Sequence, residues 1–272
     1  MAQQLELVAL FVAQMQTSQL GATPVNLRLP LEAHDGGDAG WVDLIVADSG
    51  YEKGQVAAAN RRDSRLRQVK TALKTLEAKT LVELPNAKRA RGKFEGFQLL
   101  DEGGPRLAGE PIRYRIPEES KSFAVPVEFF LRGWVHVLTP SEISLWLMLR
   151  HLGASQTWPD GIHISGDGRR RHYGLSHDAY KSWPMLEQMG LIRMTPDPSR
   201  RADGTVIGGM KKDEPVAAHR FELLDDGLEQ DAGSAVIEAI QHQLAGKPIG
   251  MEKLVAGAES AMFAALIKSL TM

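Results

Sequence analysis

Residues 73 to 84 read LKTLEAKTLVEL, and residues 183 to 194 read WPMLEQMGLIRM. At an offset of 110 positions, Leu73 falls on Trp183, Leu76 on Leu186, Glu77 on Glu187, Leu81 on Leu191 and Val82 on Ile192. Each stretch closes an amphipathic helix and enters a short apolar strand. PNAKRARGK and FEGFQLLD follow the first copy, a basic loop and a returning strand. TPDPSRRADGTVIGGMKKDEP and AHRFELLDD follow the second in the same order. A helix that feeds a hairpin can bury its stripe against earlier helices while the hairpin covers the open edge of the core. Two such devices in one chain restrict the fold to α+β with two small cores.

The elements around the repeat follow from spacing and punctuation. Residues 4 to 18 predict a helix through Leu7, Leu10, Phe11 and Val12. Val25 to Leu29 predicts a short strand, with a Gly/Asp loop after it. Residues 41 to 50 suit either a buried strand or a short helix. Asp63 or Ser64 is expected to cap a helix running to about Lys79, with Leu66, Val69, Leu73 and Leu76 on one stripe. Ile112 to Ile116 predicts a strand within the connection between halves. FAVPVEFFLRGWVHVL predicts a buried segment, and Thr139 or Ser141 caps a strongly apolar helix, EISLWLMLRHL. SGDGRRRHYGLS reads as a turn-rich linker, with its GDG a turn. Ser176 caps the next helix and Gly190 ends it. Pro184 lies eight positions after that cap and removes a bond to the Tyr180 carbonyl. It either kinks the helix or marks where its second half begins. Helices are expected over 233 to 245 and 251 to 270. Trp134, Trp146, Trp183 and Leu186 sit on apolar stripes and belong to cores.

Net charge is only −2, but its distribution is uneven. Between Lys53 and Lys93 stand twelve Lys/Arg and three Asp/Glu, a net of +9. Residues 221 to 272 carry a net of −5. The basic block is the footprint expected for a polyanion. The absence of cysteine excludes disulfides and thiolate metal sites and fits a cytoplasmic chain. No apolar run reaches the length a membrane span needs, and no basic residue precedes the apolar N-terminus as a secretory signal requires. GxxxxGK[ST] and GxSxG are absent. His163, His172 and His177 are near in sequence but lack an HxxxH pair or a carboxylate at ligand spacing, so no metal or other cofactor is expected. Tyr173 or Tyr180 as a nucleophile on DNA would need a metal-binding histidine pair beside it, and the chain is read as non-enzymatic.

LKTLEAKTLVEL and WPMLEQMGLIRM both resemble the end of the recognition helix and the first wing strand of winged helix-turn-helix domains. The second copy matches more closely, since Thr80 stands where glycine is usual. The resemblance implies two tandem winged helices, residues 1–117 and 118–230, followed by a C-terminal helical tail, 231–272. Tandem winged helices are similar to plasmid and phage replication initiators and to transcription regulators. They imply double-stranded DNA as partner and a nucleoid-associated location, with a homodimer through the C-terminal helices a further expectation. The family places the helix in the major groove and the wing on the backbone or minor groove.

Carried over residue by residue, the first helix offers Arg61, Arg62, Arg65, Arg67 and Lys70, and its wing Lys88, Arg89, Arg91 and Lys93. The second helix offers His177, Asp178, Lys181 and Ser182, with Tyr180 facing either way. Arg169, Arg170 and Arg171 before it, and Arg200, Arg201, Lys211 and Lys212 in its wing, suit phosphates. The rival reading is a protein-interaction module that uses the same surfaces.

Overall fold

The computed structural model describes residues 1–17, 19–24, 29–33, 39–45, 57–86, 88, 92–103, 111–118, 122–200, 205–208 and 218–245, with backbone alone at 57–61. The strand expected at Val25 to Leu29, all but Leu29, and the helix expected over 251 to 270 lie outside these residues. The chain is α+β and divides into two compact units, one within Met1–Ser122 and one within Phe123–Pro248.

In the first unit, α1 (Ala2–Gln16) buries Leu5, Val8, Ala9 and Ala13, a stripe at helical spacing. It packs on α3 (Ala57–Ala78), and α2 (Trp41–Ile45) packs on both. The stretch 41 to 45 is thus helical, with Trp41 against Phe97 at 5.1 Å between ring centres. α3 starts well before the expected cap at Asp63 or Ser64. Three successive alanines, 57 to 59, are strong helix formers and carry it upstream. Its buried side chains are Val69, Ala72, Leu73 and Leu76, while Leu66 is half-buried. β1 (Val82–Glu83) then pairs antiparallel with β2 (Gln98–Leu99). The expected strand 112 to 116 reduces to one bridge, Arg113 opposite Leu100, flanked by the Asp101 amide donating to the Ile112 carbonyl at 2.8 Å.

In the second unit, α4 (Glu128–Leu131) and α5 (Trp134–Val137) bring Phe129 and Trp134 inside. α6 (Pro140–Ser155) is the central helix. Thr139 accepts from the Glu142 amide at 3.3 Å and Glu142 accepts from the Thr139 amide at 2.7 Å, a full capping box with Pro140 in the first turn. Trp146 stacks on Phe129 at 4.7 Å. SGDGRRRHYGLS is not a linker: it holds α7 (Gly166–Tyr173), with GDG as its first turn. Ser165 caps it through the Gly168 amide, and Gly174 closes it in the left-handed region at φ 63°. Turn-prone residues here are helix punctuation, not a loop.

Ser176 caps α8 (His177–Tyr180), which stops at Lys181 and Ser182 before α9 (Trp183–Gln188) begins. Pro184 therefore occupies the second position of a new helix, where its missing N–H costs nothing. The Ser182 hydroxyl donates to the Ala179 carbonyl at 2.6 Å across the break. β3 (Ile192–Thr195) pairs with β4 (Arg220–Leu223), and Ile162, between α6 and α7, pairs with Phe221 on the other side of β4. A 3-10 turn (Asp225–Glu229) follows, and its Leu228 carbonyl accepts from the buried Trp134 indole at 3.0 Å. α10 (Ala232–Ala245) then packs on α5.

The two copies of the repeat agree down to individual hydrogen bonds. Leu81 donates to Leu76 and Leu191 to Leu186, both at 3.0 Å. Thr80 donates to Glu77 at 3.0 Å and Gly190 to Glu187 at 2.9 Å. This is a Schellman ending in each case, with the apolar pair it favours. Thr80 and Gly190 both take the left-handed conformation, φ 57° and 73°. The Leu100 amide donates to Leu81 at 2.9 Å, and the Leu224 amide to Leu191 at 3.0 Å, so each hairpin closes on the same carbonyl.

Candidate nucleic-acid interface

On α3, Arg67, Lys70 and Lys74 share the face opposite the buried stripe, Arg67 and Lys74 exposed and Lys70 half-buried. Arg62 lies 2.9 Å from Glu32, and Arg65 lies 3.8 Å from Asp43, so part of the helix charge meets carboxylates. Lys88 is exposed. Lys93 and Lys74 approach the Phe94 ring at 5.7 and 6.0 Å, which ties the loop after β1 to the helix. No spacing or motif in the sequence signals that aromatic link. The side chain of Arg61, and Arg89 and Arg91 entirely, lie outside the described residues.

In the second unit, Gly174, Leu175 and Ser176 join α7 to α8. Glycine supplies the left-handed turn, Leu175 is buried, and Ser176 accepts from the Ala179 amide at 3.1 Å. A short turn of this kind sets two helices at an angle. His177, Asp178 and Lys181 are exposed on the second of them, with Lys181 3.5 Å from Asp178. Ser182 is half-buried and spends its hydroxyl on Ala179. Tyr180 faces inward, edge-on to Phe221 at 5.8 Å.

Arg170 and Arg171 are exposed at the end of α7, Arg171 paired with Asp167 at 3.0 Å. Arg169 departs from the expectation of a surface phosphate contact. It sits on the face of α7 turned toward α8, is 6% exposed, and lays its guanidinium 4.2 Å from the Tyr180 ring centre.

The wing base is built by its own polar contacts. Asp197 donates its amide to Nδ1 of the buried His219 at 3.1 Å, which fixes that nitrogen as an acceptor. Asp197 accepts from the Ser199 hydroxyl and amide, and these bonds hold its carboxyl below the usual range. Arg200 pairs across the turn with Val206. Arg201, Lys211 and Lys212 lie outside the described residues.

Burial pushes the Tyr173 and Tyr180 phenols up, away from the phenolate that attack on phosphate requires. Nδ1 of His151 lies 2.7 Å from the Tyr173 hydroxyl, a pair with no sequence signature. Among the described residues, no three His, Asp or Glu side chains gather as a metal site, and no helix is long and apolar enough to cross a membrane. Compared with known proteins, the chain matches no family model, no curated protein and no solved structure.

Proposed function

We propose that the chain is a non-enzymatic, duplex-DNA-binding protein of two tandem winged helices, acting as a transcription regulator or as a replication initiator of a plasmid or phage. The observation that carries this reading is the repeated helix, left-handed turn and hairpin, with cations on the exposed helix faces ahead of both turns. The second unit adds to it. Its order of α6, Ile162, α7, α8 with α9, β3 and β4, with β4 between Ile162 and β3, suits a winged helix-turn-helix. In this assignment His177, Asp178 and Lys181 face base edges. Arg67, Lys70, Lys88, Lys93, Arg170, Arg171 and Arg200 face phosphates, joined by the undescribed Arg61, Arg89, Arg91, Arg201, Lys211 and Lys212. A second copy, joined through the C-terminal helices, would double the contact.

The test is the salt dependence of duplex binding. Affinity is expected to fall steeply between about 50 and 200 mM salt, by roughly one log-slope unit per phosphate contact. Failure to bind any duplex at low salt sinks the reading. The engagement of Arg62 with Glu32 and of Arg65 with Asp43 favours the alternative, a protein-interaction module, because these charges are already partly met. Reversal of Arg67, Lys70, Arg170 and Arg171 to Glu separates the two. Retained partner binding with this variant supports the module, and loss of duplex binding supports the regulator.

A further inference from the structure

We propose that Arg169 and the first turn of α7 form a binding site for a phosphate-type oxyanion. Among the described residues of its unit, Arg169 is one of the few charged side chains in the interior, and its Nε has no hydrogen-bond partner there. A buried cation normally carries a carboxylate with it, because the desolvation of a lone charge is expensive. Among the described residues, the group that faces the guanidinium is the Tyr180 ring. The charges acting nearby add to the imbalance: Arg170 acts on Arg169, and Arg200 acts on the Tyr180 phenol.

The guanidinium points to a second feature of the same polarity. One of its terminal nitrogens comes within 3.9 Å of where a Cβ on Gly166 would stand, and Gly166 is exposed. Gly166 opens α7. The Ser165 hydroxyl takes the Gly168 amide, so the Gly166 and Asp167 amides are left without acceptors inside the helix. The positive end of the α7 dipole adds to them. The Asp167 carboxylate is engaged by Arg171 at 3.0 Å. An oxyanion at this turn meets two amides and a planar guanidinium, and it supplies the negative charge that Arg169 lacks.

The duplex reading enters only as the source of the phosphate, a DNA backbone group, so the two can fail separately. The full chain, labelled with 15N, is titrated with inorganic phosphate at constant ionic strength while NMR follows the Gly166 and Asp167 amides and the Arg169 Nε–H. Saturable shifts of all three are expected. In Arg169→Met the phosphate affinity is expected to fall at least tenfold, with the Ile162 and Phe221 amides in place as the check on folding. If that variant does not fold, Arg169→Lys, which keeps the charge and loses the planar fork, is expected to weaken phosphate at least threefold. Drift without saturation, or equal affinity in the variant that folds, overturns the site. Duplex binding supplies the other arm: the salt slope of Arg169→Met, which removes the charge, is expected to drop by about one unit, while that of Arg169→Lys stays near the parent value. Saturable phosphate shifts in a chain that binds no duplex would leave the site standing, with free phosphate as its ligand, and remove the duplex reading.

Discussion

Thr80 and Gly190 hold the same place in the two copies of the repeat, so exchanging them isolates one energy. A β-branched residue at φ 57° is a conformational outlier, and the left-handed region costs an ordinary L-residue about 1–2 kcal/mol. Glycine there avoids that strain but gives up about 0.5–1 kcal/mol to the freedom of the unfolded chain. Thr80→Gly should therefore stabilise the first unit by about 0.5–1 kcal/mol, and Gly190→Thr should destabilise the second by a similar amount. Space does not disturb the comparison at Gly190: the nearest atom to an added Cβ is Nε2 of Gln230 at 3.7 Å, an ordinary contact. Native-state hydrogen exchange reads each unit by itself. The Leu100 amide bonds to Leu81 just beyond Thr80, and the Leu224 amide bonds to Leu191 just beyond Gly190. Thr80→Gly is expected to slow Leu100 exchange by about two- to fivefold and leave Leu224 unchanged; Gly190→Thr is expected to speed Leu224 by a similar factor. Unchanged or faster Leu100 exchange in Thr80→Gly refutes the reasoning, because the threonine side chain would then be making a contact that offsets its strain.

Three further outcomes follow from close packing and buried polar groups. A Cβ on Gly227 would collide with the Gly190 backbone carbonyl, which no side-chain rotation relieves; Gly227→Ala is expected to cost about 3 kcal/mol in urea denaturation. Trp134→Phe removes the donor to the Leu228 carbonyl inside the core and is expected to cost about 1–3 kcal/mol by the same measurement. Glu6 is half-buried on α1 beside Glu102, and burial first, then Glu102, raises its carboxyl from 4.5 to about 7. The folded state thus holds the proton more tightly than the unfolded chain. This stability is fully present below about pH 4.5 and is lost as pH rises to about 7, a difference of at most about 3 kcal/mol. Glu6→Gln should flatten that part of the stability–pH curve, and an unchanged curve would refute the assignment.

The repeat was legible because its signals are local. Leu76 with Leu81, and Leu186 with Leu191, are helix and strand residues that meet through one turn, and their spacing encodes the contact. The capping box at Thr139 and Glu142 was legible for the same reason. The α7 stretch reads as a loop in the sequence because Ser165, Gly166, Gly168 and Gly174 are individually turn residues. Only their spacing, a cap at one end and a left-handed glycine at the other, distinguishes a short helix from a loop, and eight residues rich in charge show no apolar stripe. The basic run predicts Arg169 at the surface, since arginine in such a run is usually solvated. Its burial depends on Tyr180, eleven positions on and on a separate helix, and no periodicity announces that meeting. The His151–Tyr173 pair is similarly invisible, since it joins two helices through side chains alone.

The two proposed DNA-facing helices differ in a way that predicts different labour. On α3, Arg67, Lys70 and Lys74 carry charge that suits phosphates, beside the exposed Asp63, Ser64 and Thr71. α8 offers one turn before the break at Lys181 and Ser182, and its exposed side chains are an imidazole, a carboxylate and an ammonium. A carboxylate beside a polyanion is unfavourable unless it accepts a hydrogen bond, and cytosine N4 is the major-groove donor that suits it. Asp178→Ala should therefore raise general affinity slightly, leave the salt slope unchanged, and flatten sequence preference at one position by about 1–3 kcal/mol. Lys70→Ala should instead weaken all duplexes alike and lower the slope by about one unit. Binding of both variants to a randomised duplex pool at two salt concentrations measures both quantities. A slope change in Asp178→Ala, or a changed base preference in Lys70→Ala, contradicts this division of labour between the two proposed helices.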